Sequence, residues 1–248
     1  MGAVYILWLR QLKRYVRARA RVIGSLGQPL LFLLAMGFGF GPMYAKAGGG
    51  NYIQFLAPGI IAMGIMFTGM FSGIEILWDR QFGFLKETLV APVPRLNIVL
   101  GRTLGGATIA FAQGVLVFVI CLVAGFRIES WAMLPAAAAF MALIAVAFTS
   151  IGTLFGSWLE DYQAFPVIMN FLMMPLFFFS GALFPLEGLP RVLRSLMSVN
   201  PLTYGVDGLR GTLAHGFAFG LGLDFLVLGL STAAMLALGS WVFSRIQL

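Results

Sequence analysis

Along most of this chain the apolar positions do not alternate with polar ones. They run on without interruption and are separated by short polar punctuation. Six windows contain no Asp, Glu, Lys or Arg: 22–45, 47–74, 103–126, 130–159, 162–186 and 225–244. A helix rising ~1.5 Å per residue needs about 20 such residues to cross ~30 Å of hydrocarbon, and each window is long enough. Strands of a membrane barrel would instead alternate inward and outward in segments of ~10 residues. The pattern therefore predicts an all-α integral membrane protein with six transmembrane helices, over roughly 23–44, 55–77, 98–123, 134–157, 164–184 and 222–244.

The segments between these spans carry their own patterns. In 4–21, Val4, Trp8, Leu12 and Val16 recur every four residues, while Arg10, Arg14, Arg17 and Arg21 mark another face. That predicts an interfacial amphipathic helix on the inner leaflet, its arginines turned to lipid phosphates. The basic residues, the apolar run and Ala45-Lys46-Ala47 together have the outline of a signal peptide, but the run exceeds the ~7–15 residues such signals use. In the loop 78–95, Asp79 and Arg80 come first, then Phe82, Leu85 and Leu89 form an apolar edge and Lys86 and Glu87 a charged one, before Pro92 and Pro94 end any helix. A short helix of this kind either seats in a partner's groove or lies as a linker at the membrane surface. The segment 185–213 reads as two short helices starting near Pro190 and Pro201, with Glu187, Arg191, Arg194, Asn200, Asp207 and Arg210 around them. It is too charged to span, and fits a re-entrant pair whose backbone is covered by protein or a water-filled cavity.

Composition removes the soluble alternatives. Of 248 residues 60% are hydrophobic and 10% charged, with mean hydropathy +0.95, whereas soluble domains average about 45–50% apolar and about 25% charged. Six spans leave only loops, so 1–248 is one transmembrane domain with no room for a catalytic one. The net charge of +7 is unevenly spread: with the N-terminus inside, 11 of the 16 Lys and Arg fall on the cytoplasmic side and 5 outside. The positive-inside rule then places both termini in the cytoplasm. The loop 156–163 adds only Glu160 and Asp161 to that side. The basic residues are expected to meet membrane lipids, and no nucleic acid.

Catalytic chemistry is hard to build from these residues. There is one histidine, His215, no G-x-S-x-G elbow, and a lone Cys121 inside a span. No Cys/His cluster offers a metal site, so none is expected. The run Gly37-Phe38-Gly39-Phe40-Gly41 closes an apolar span, and no lysine follows a glycine anywhere, so a phosphate-binding G-x-x-x-x-G-K-[ST] loop is missing. The chain is not expected to be an enzyme. If ATP drives it, another subunit binds the nucleotide.

Packing signals are stronger. Gly69/Gly73, Gly101/Gly105 and Gly152/Gly156 are spaced for close helix contact, within the chain or across a dimer. In the second span Met63, Met66, Phe67, Met70 and Phe71 form a stripe, and in the fifth Asn170, Met173, Met174, Phe177 and Phe178 repeat the spacing. Thioether and aromatic side chains repack around dissimilar apolar ligands, so the stripes suit a lipophilic pathway as well as plain packing. Glu75, ending the second span, is either functional or paired with a neighbour such as Arg80.

Three motifs, taken in order, bring these parts together: Tyr52-Ile53-Gln54-Phe55-Leu56-Ala57-Pro58-Gly59; Lys86-Glu87-Thr88-Leu89-Val90-Ala91-Pro92-Val93-Pro94-Arg95; and Phe179-Ser180-Gly181 through Phe184-Pro185-Leu186-Glu187 to Asn200-Pro201-Leu202-Thr203-Tyr204 and Asp207-Gly208-Leu209-Arg210. With them the chain resembles the type-2 ABC-transporter permeases along most of its length. Among these it is most similar to the small drug-resistance permeases of the daunorubicin-exporter type, with nodulation-factor and polysaccharide exporters further away. The resemblance implies a subunit of a homodimer, or of a heterodimer with a related permease, in the plasma (inner) membrane of a prokaryote. Two ABC ATPase subunits would dock below it, binding the ATP and Mg. It implies a coupling helix at Asp79–Leu89, with Asp79, Arg80, Phe82, Leu85, Lys86, Glu87 and Leu89 meeting the ATPase. It also implies outer re-entrant helices whose gate residues are Glu187, Pro190, Asn200, Pro201, Tyr204, Asp207 and Arg210. Export of an amphipathic drug, lipid or glycolipid then follows, along Met66, Phe67, Met70, Phe71, Glu75, Asn170, Met173, Met174 and Phe177. The competing reading is an ATP-independent secondary transporter or channel with Glu75 as its proton or ion site, but the sequence has neither broken-helix pairs nor repeated halves.

Overall fold

The computed structural model describes residues 2–46, 50–84, 90, 93–185, 190–214 and 216–245, and no strand occurs among them. The helices are α1 Gly2–Arg17, α2 Arg19–Lys46, α3 Tyr52–Phe71, α4 Ile74–Gln81, α5 Arg95–Val123, α6 Leu134–Trp158, α7 Ala164–Phe178, α8 Arg191–Val199, α9 Pro201–Ala214 and α10 Leu221–Ser244. A single 3-10 turn, Trp131–Met133, leads into α6.

Among the described residues, five helical stretches are long and apolar enough to cross a membrane: Arg19–Lys46, Tyr52–Gln81, Arg95–Val123, Trp131–Trp158 and Leu221–Ser244. The second of these is α3 and α4 in line, broken for one turn at Ser72 and Gly73, where Ser72 Oγ bonds back to the Gly69 carbonyl at 2.6 Å.

The span expected at 164–184 is shorter than that. α7 has 15 residues, so it extends about 22 Å. Pro175 removes a donor from its last turn, and Gly181 takes φ +73° just beyond its end. Residues 179–184 are non-helical and fold against α3, where Ala182 lies so near Gly59 that a Cβ there would stand 2.6 Å from the Ala182 Cβ. An apolar run shows that a segment avoids water. It does not show whether lipid or protein surrounds it.

α3 is the axis of the bundle. Every residue from 56 to 66 is buried, because α2, α5, α6, α7 and α9 all pack on it. That accounts for a helix apolar on all sides. The closest approach is between α3 and α6, where the paired glycines meet within one chain. A Cβ on Gly73 would run into the Gly152 carbonyl, one on Gly152 into the Met70 carbonyl, and one on Gly156 into the Gly73 carbonyl. α2 and α10 leave most of their apolar surface uncovered.

The N-terminal helix packs against the bundle. α1 runs beside the first turns of α5: Leu7 lies over Gly101, Gln11 over Gly105, Trp8 Nε1 donates to Thr108 Oγ1 at 3.0 Å and Tyr15 OH to Gln113 Oε1 at 3.2 Å. These contacts advance along both helices together. The glycines of α5 open the groove into which α1 settles.

Candidate functional site

At the arginine-rich end, Glu75 and Asp79 share one face of α4, being four residues apart. Both are buried, and together they are met by arginines from three other helices. Arg102 of α5 donates to Asp79 at 2.6 Å, with both side chains nearly inaccessible. Arg10 and Arg14 of α1 stand 3.3 and 3.6 Å from the same carboxylate. Arg21 of α2 bonds Glu75 at 2.9 Å, with Arg14 at 4.0 Å. Taking charges out of water is costly, and only excellent geometry with further hydrogen bonds offsets it. The cluster therefore fixes how α1, α2 and α5 sit on α4.

From the expected coupling residues, Asp79 faces this interior and Arg80 turns the other way, to the Leu159 carbonyl at 3.5 Å and Glu160 at 3.4 Å. Arg80 thus joins α4 to the acidic 159–163 loop. Phe82 is exposed and stacks edge-on against Trp78, with centroids 6.3 Å apart. Leu85, Lys86, Glu87 and Leu89 lie outside the described residues. An open groove of about 590 Å³ separates α1 from the end of α4, lined among others by Arg10, Lys13, Arg17, Trp78, Phe82 and Phe84.

The two stripes divide. On α3, Met63, Met66 and Met70 are fully buried, with Phe67 and Phe71 half-buried. On α7 the inward line is Phe165, Met169, Met173 and Phe177, four residues apart, while Asn170, Met174 and Phe178 point away from the bundle beside Phe171. Phe165 meets Phe71, and Phe177 meets Phe32, both edge to face. Glu75 sits among arginines and not along either stripe.

At the opposite end α8 and α9 begin where the prolines foretell, Pro190 capping α8 and Pro201 opening α9. α9 is almost wholly buried, and its side chains satisfy the backbone of the non-helical 179–184 segment. Asn200 Nδ2 donates to the Leu176 and Phe179 carbonyls at 2.6 and 3.0 Å, while its Oδ1 accepts from Leu202 N–H at 3.0 Å, capping α9. Thr203 bonds the Phe179 carbonyl at 3.2 Å, and Tyr52 of α3 the Leu183 carbonyl at 3.0 Å. Arg210 donates to the Gly181 carbonyl at 2.8 Å and lies 4.1 Å above the Phe55 ring. Tyr204 OH donates to the Ser198 carbonyl at 2.8 Å, and Asp207 accepts from the N–H groups of Ala218 and Phe219. Glu187 lies outside the described residues. Such irregular backbone is stable in an apolar surround only when protein groups satisfy it in this way.

Replacing Asn200 with Ala removes the cap and leaves the Leu176 carbonyl without that donor. The expected loss is about 1–3 kcal/mol. A lowered thermal midpoint of the solubilised protein measures it, and Asn200→Ser, which keeps a cap oxygen but not the amide donors, should fall between.

Several of these residues carried no site assignment in the sequence: Arg102, Arg21, Tyr52, Thr203 and the α1 arginines as carboxylate partners. Only the four-residue spacing of Glu75 and Asp79 hinted at a common face needing cations.

A multi-pass helical bundle with an ionic knot at one end and a stapled helix pair at the other defines an integral membrane protein. Residues 2–214 match the ABC-2 type transporter family, and the chain belongs to it. Nodulation protein J of Rhizobium leguminosarum bv. trifolii is 31% identical over 208 residues, covering 83% of this chain and 76% of that protein. The putative transport permease ycf38 of Cyanophora paradoxa is 27% identical over 219 residues, covering 86% and 74%. The inner membrane transport permease YadH of Escherichia coli K12 is 26% identical over 211 residues, covering 84% and 81%. A nodulation protein thus aligns over most of the chain, where the sequence reading expected nodulation-factor exporters to stand further away than drug-resistance permeases.

Proposed function

We propose that this transport permease forms the membrane half of an exporter for amphipathic drugs, lipids or glycolipids. It works as a homodimer or with a related permease in the prokaryotic inner membrane, both termini in the cytoplasm, on two ABC ATPase subunits that bind ATP and Mg. The carrying observation is the ionic cluster, in which α4, the helix leading into the 78–95 loop, is tied through Glu75 and Asp79 to α1, α2 and α5. Force applied to that loop by a closing ATPase reaches three helices instead of bending a slack hairpin. Replacing Lys86 and Glu87, or Leu85 and Leu89, should abolish ATPase co-purification and vanadate-sensitive efflux; unchanged values of both would overturn the coupling role.

The pathway in this reading runs where two copies face each other, past the outward residues Asn170 and Met174 and the half-buried Phe67 and Phe71, with Met66, Met70, Met173 and Phe177 packed behind them. α8 and α9 close its outer end through Pro190, Asn200, Pro201, Tyr204, Asp207 and Arg210, with Glu187. Met174→Trp should change the relative efflux of bulky and small amphiphiles while basal ATP hydrolysis by the assembled complex stays the same. Equal effects on all substrates would assign Met174 to packing.

A further inference from the structure

Of the four arginines that mark the basic face of 4–21, three turn to carboxylates: Arg10, Arg14 and Arg21 meet Glu75 or Asp79. Arg17 does not, and neither does Lys13, one turn before it on the same face of α1. Both are exposed, and neither has an ion pair among the described residues. The buried carboxylates do not need them. Glu75 and Asp79 are already outnumbered by Arg10, Arg14, Arg21 and Arg102, so Lys13 and Arg17 add to an excess of positive charge. Glu160, at the same end, pairs with Arg80, which turns the other way.

Lys13 and Arg17 line the open groove between α1 and the end of α4. Its volume, about 590 Å³, falls within the ~300–1,000 Å³ of sites that hold small molecules. Beside the cations the lining is apolar: Ile6 and Leu9 from the start of α1, Trp78 of α4, and Phe82 and Phe84 after it. Ile6 and Phe82 are 65% and 67% exposed. A hydrated anion such as free phosphate would pair with the cations and leave those side chains in water. An acidic headgroup that carries hydrocarbon covers both. The groove also adjoins surface of the kind lipid covers, because α2 begins at Arg19, two residues after α1 ends, and leaves most of its apolar surface uncovered.

We propose that this groove binds one anionic phospholipid per chain, its phosphate held by Lys13 and Arg17 and its glycerol and upper acyl carbons lying over Ile6, Trp78 and Phe82. The lipid joins α1 to α4 from outside, next to the buried ionic cluster that joins them from within. Lys13 and Arg17 are exposed, so salt screens their attraction and binding weakens as ionic strength rises. The site rests on the proposed reading only in taking the arginine-rich end as the one that meets the inner leaflet; binding is measured without ATP or transport.

The test is native mass spectrometry of the full chain, delipidated in detergent and titrated with phosphatidylglycerol or phosphatidylcholine. The wild type should retain one phosphatidylglycerol per chain and no phosphatidylcholine. Lys13→Gln with Arg17→Gln should weaken that retention roughly tenfold or more. Arg191→Gln with Arg194→Gln removes the same charge from exposed positions on α8, at the other end, and should leave it unchanged. Thermal midpoints give a second readout: phosphatidylglycerol should raise the wild-type midpoint to saturation, and inorganic phosphate should not. Equal retention of phosphatidylcholine, equal weakening by the two double variants, or a midpoint raised as much by phosphate as by the lipid would overturn the site. So would expulsion of the lipid when the proposed ABC ATPase partner is added, which would make the groove a protein interface. If the α1 double variant does not fold, the wild type decides: its retention of phosphatidylglycerol over phosphatidylcholine must be present at low salt and lost at high salt.

Discussion

Replacing Arg102 with methionine should be among the most damaging single changes in the chain. It removes the 2.6 Å partner of Asp79 in a site where both side chains are nearly inaccessible. Breaking a buried ion pair by deleting one member costs about 3–5 kcal/mol, because the remaining charge stays buried and uncompensated. Arg10 and Arg14 remain within 3.3 and 3.6 Å of that carboxylate, so the lower part of the range is expected. For a domain of this size ~3 kcal/mol corresponds to a midpoint lowered by roughly 6–12 °C. The double change Arg102→Met with Asp79→Leu is the informative companion. Replacing both charges by apolar groups is often close to neutral, so the double variant should recover stability. Transport should not recover with it, since α4 would lose its tie to α1 and α5. If the single variant unfolds no earlier than the wild type, the cluster does not hold α4 in the way described.

Gly152→Val is the second large effect. A side chain at this position would enter the Met70 carbonyl, and the backbone of α3 has no rotamer with which to withdraw. Overpacking that flexible side chains can absorb costs about 1–3 kcal/mol. Here two helices must move apart along a contact that also includes Gly73 and Gly156, so the loss should exceed that range and prevent a monodisperse protein from being purified. Gly152→Ala should already lower the midpoint. Gly39→Ala is the control: nothing lies within 4 Å of a Cβ there, and the change should be neutral or mildly stabilising. Similar midpoints for Gly152→Ala and Gly39→Ala would mean that α3 and α6 do not touch backbone to backbone.

The spans were legible because an apolar window free of charge is a statement about solvent, and solvent is what a membrane helix answers to. The same reasoning misjudged 179–184, whose apolar residues are buried by α3 and α9 and not by lipid. The glycine pairs were legible as close packing, though only the structure shows that α3 meets α6 and α1 meets α5. On α7 the spacing drew Asn170 and Met174 into one stripe with Met173 and Phe177, whereas the buried line repeats every four residues from Phe165. The ionic cluster was the hardest part to foresee. Glu75 pairs with an arginine 54 residues away and Asp79 with one 69 residues away, and no local pattern records that α1 returns to lie along α5. Likewise the prolines announced α8 and α9, but not that Asn200, Thr203 and Arg210 would serve the backbone of a segment some 20 to 30 residues earlier.

Transport by the assembled complex decides the central claim. The chain, reconstituted into proteoliposomes with its proposed ABC ATPase partner, should move a fluorescent amphiphile such as an anthracycline. That movement should require ATP, stop with vanadate and fail when Lys86 and Glu87 are replaced. Movement that continues undiminished without ATP or in the presence of vanadate would contradict the account.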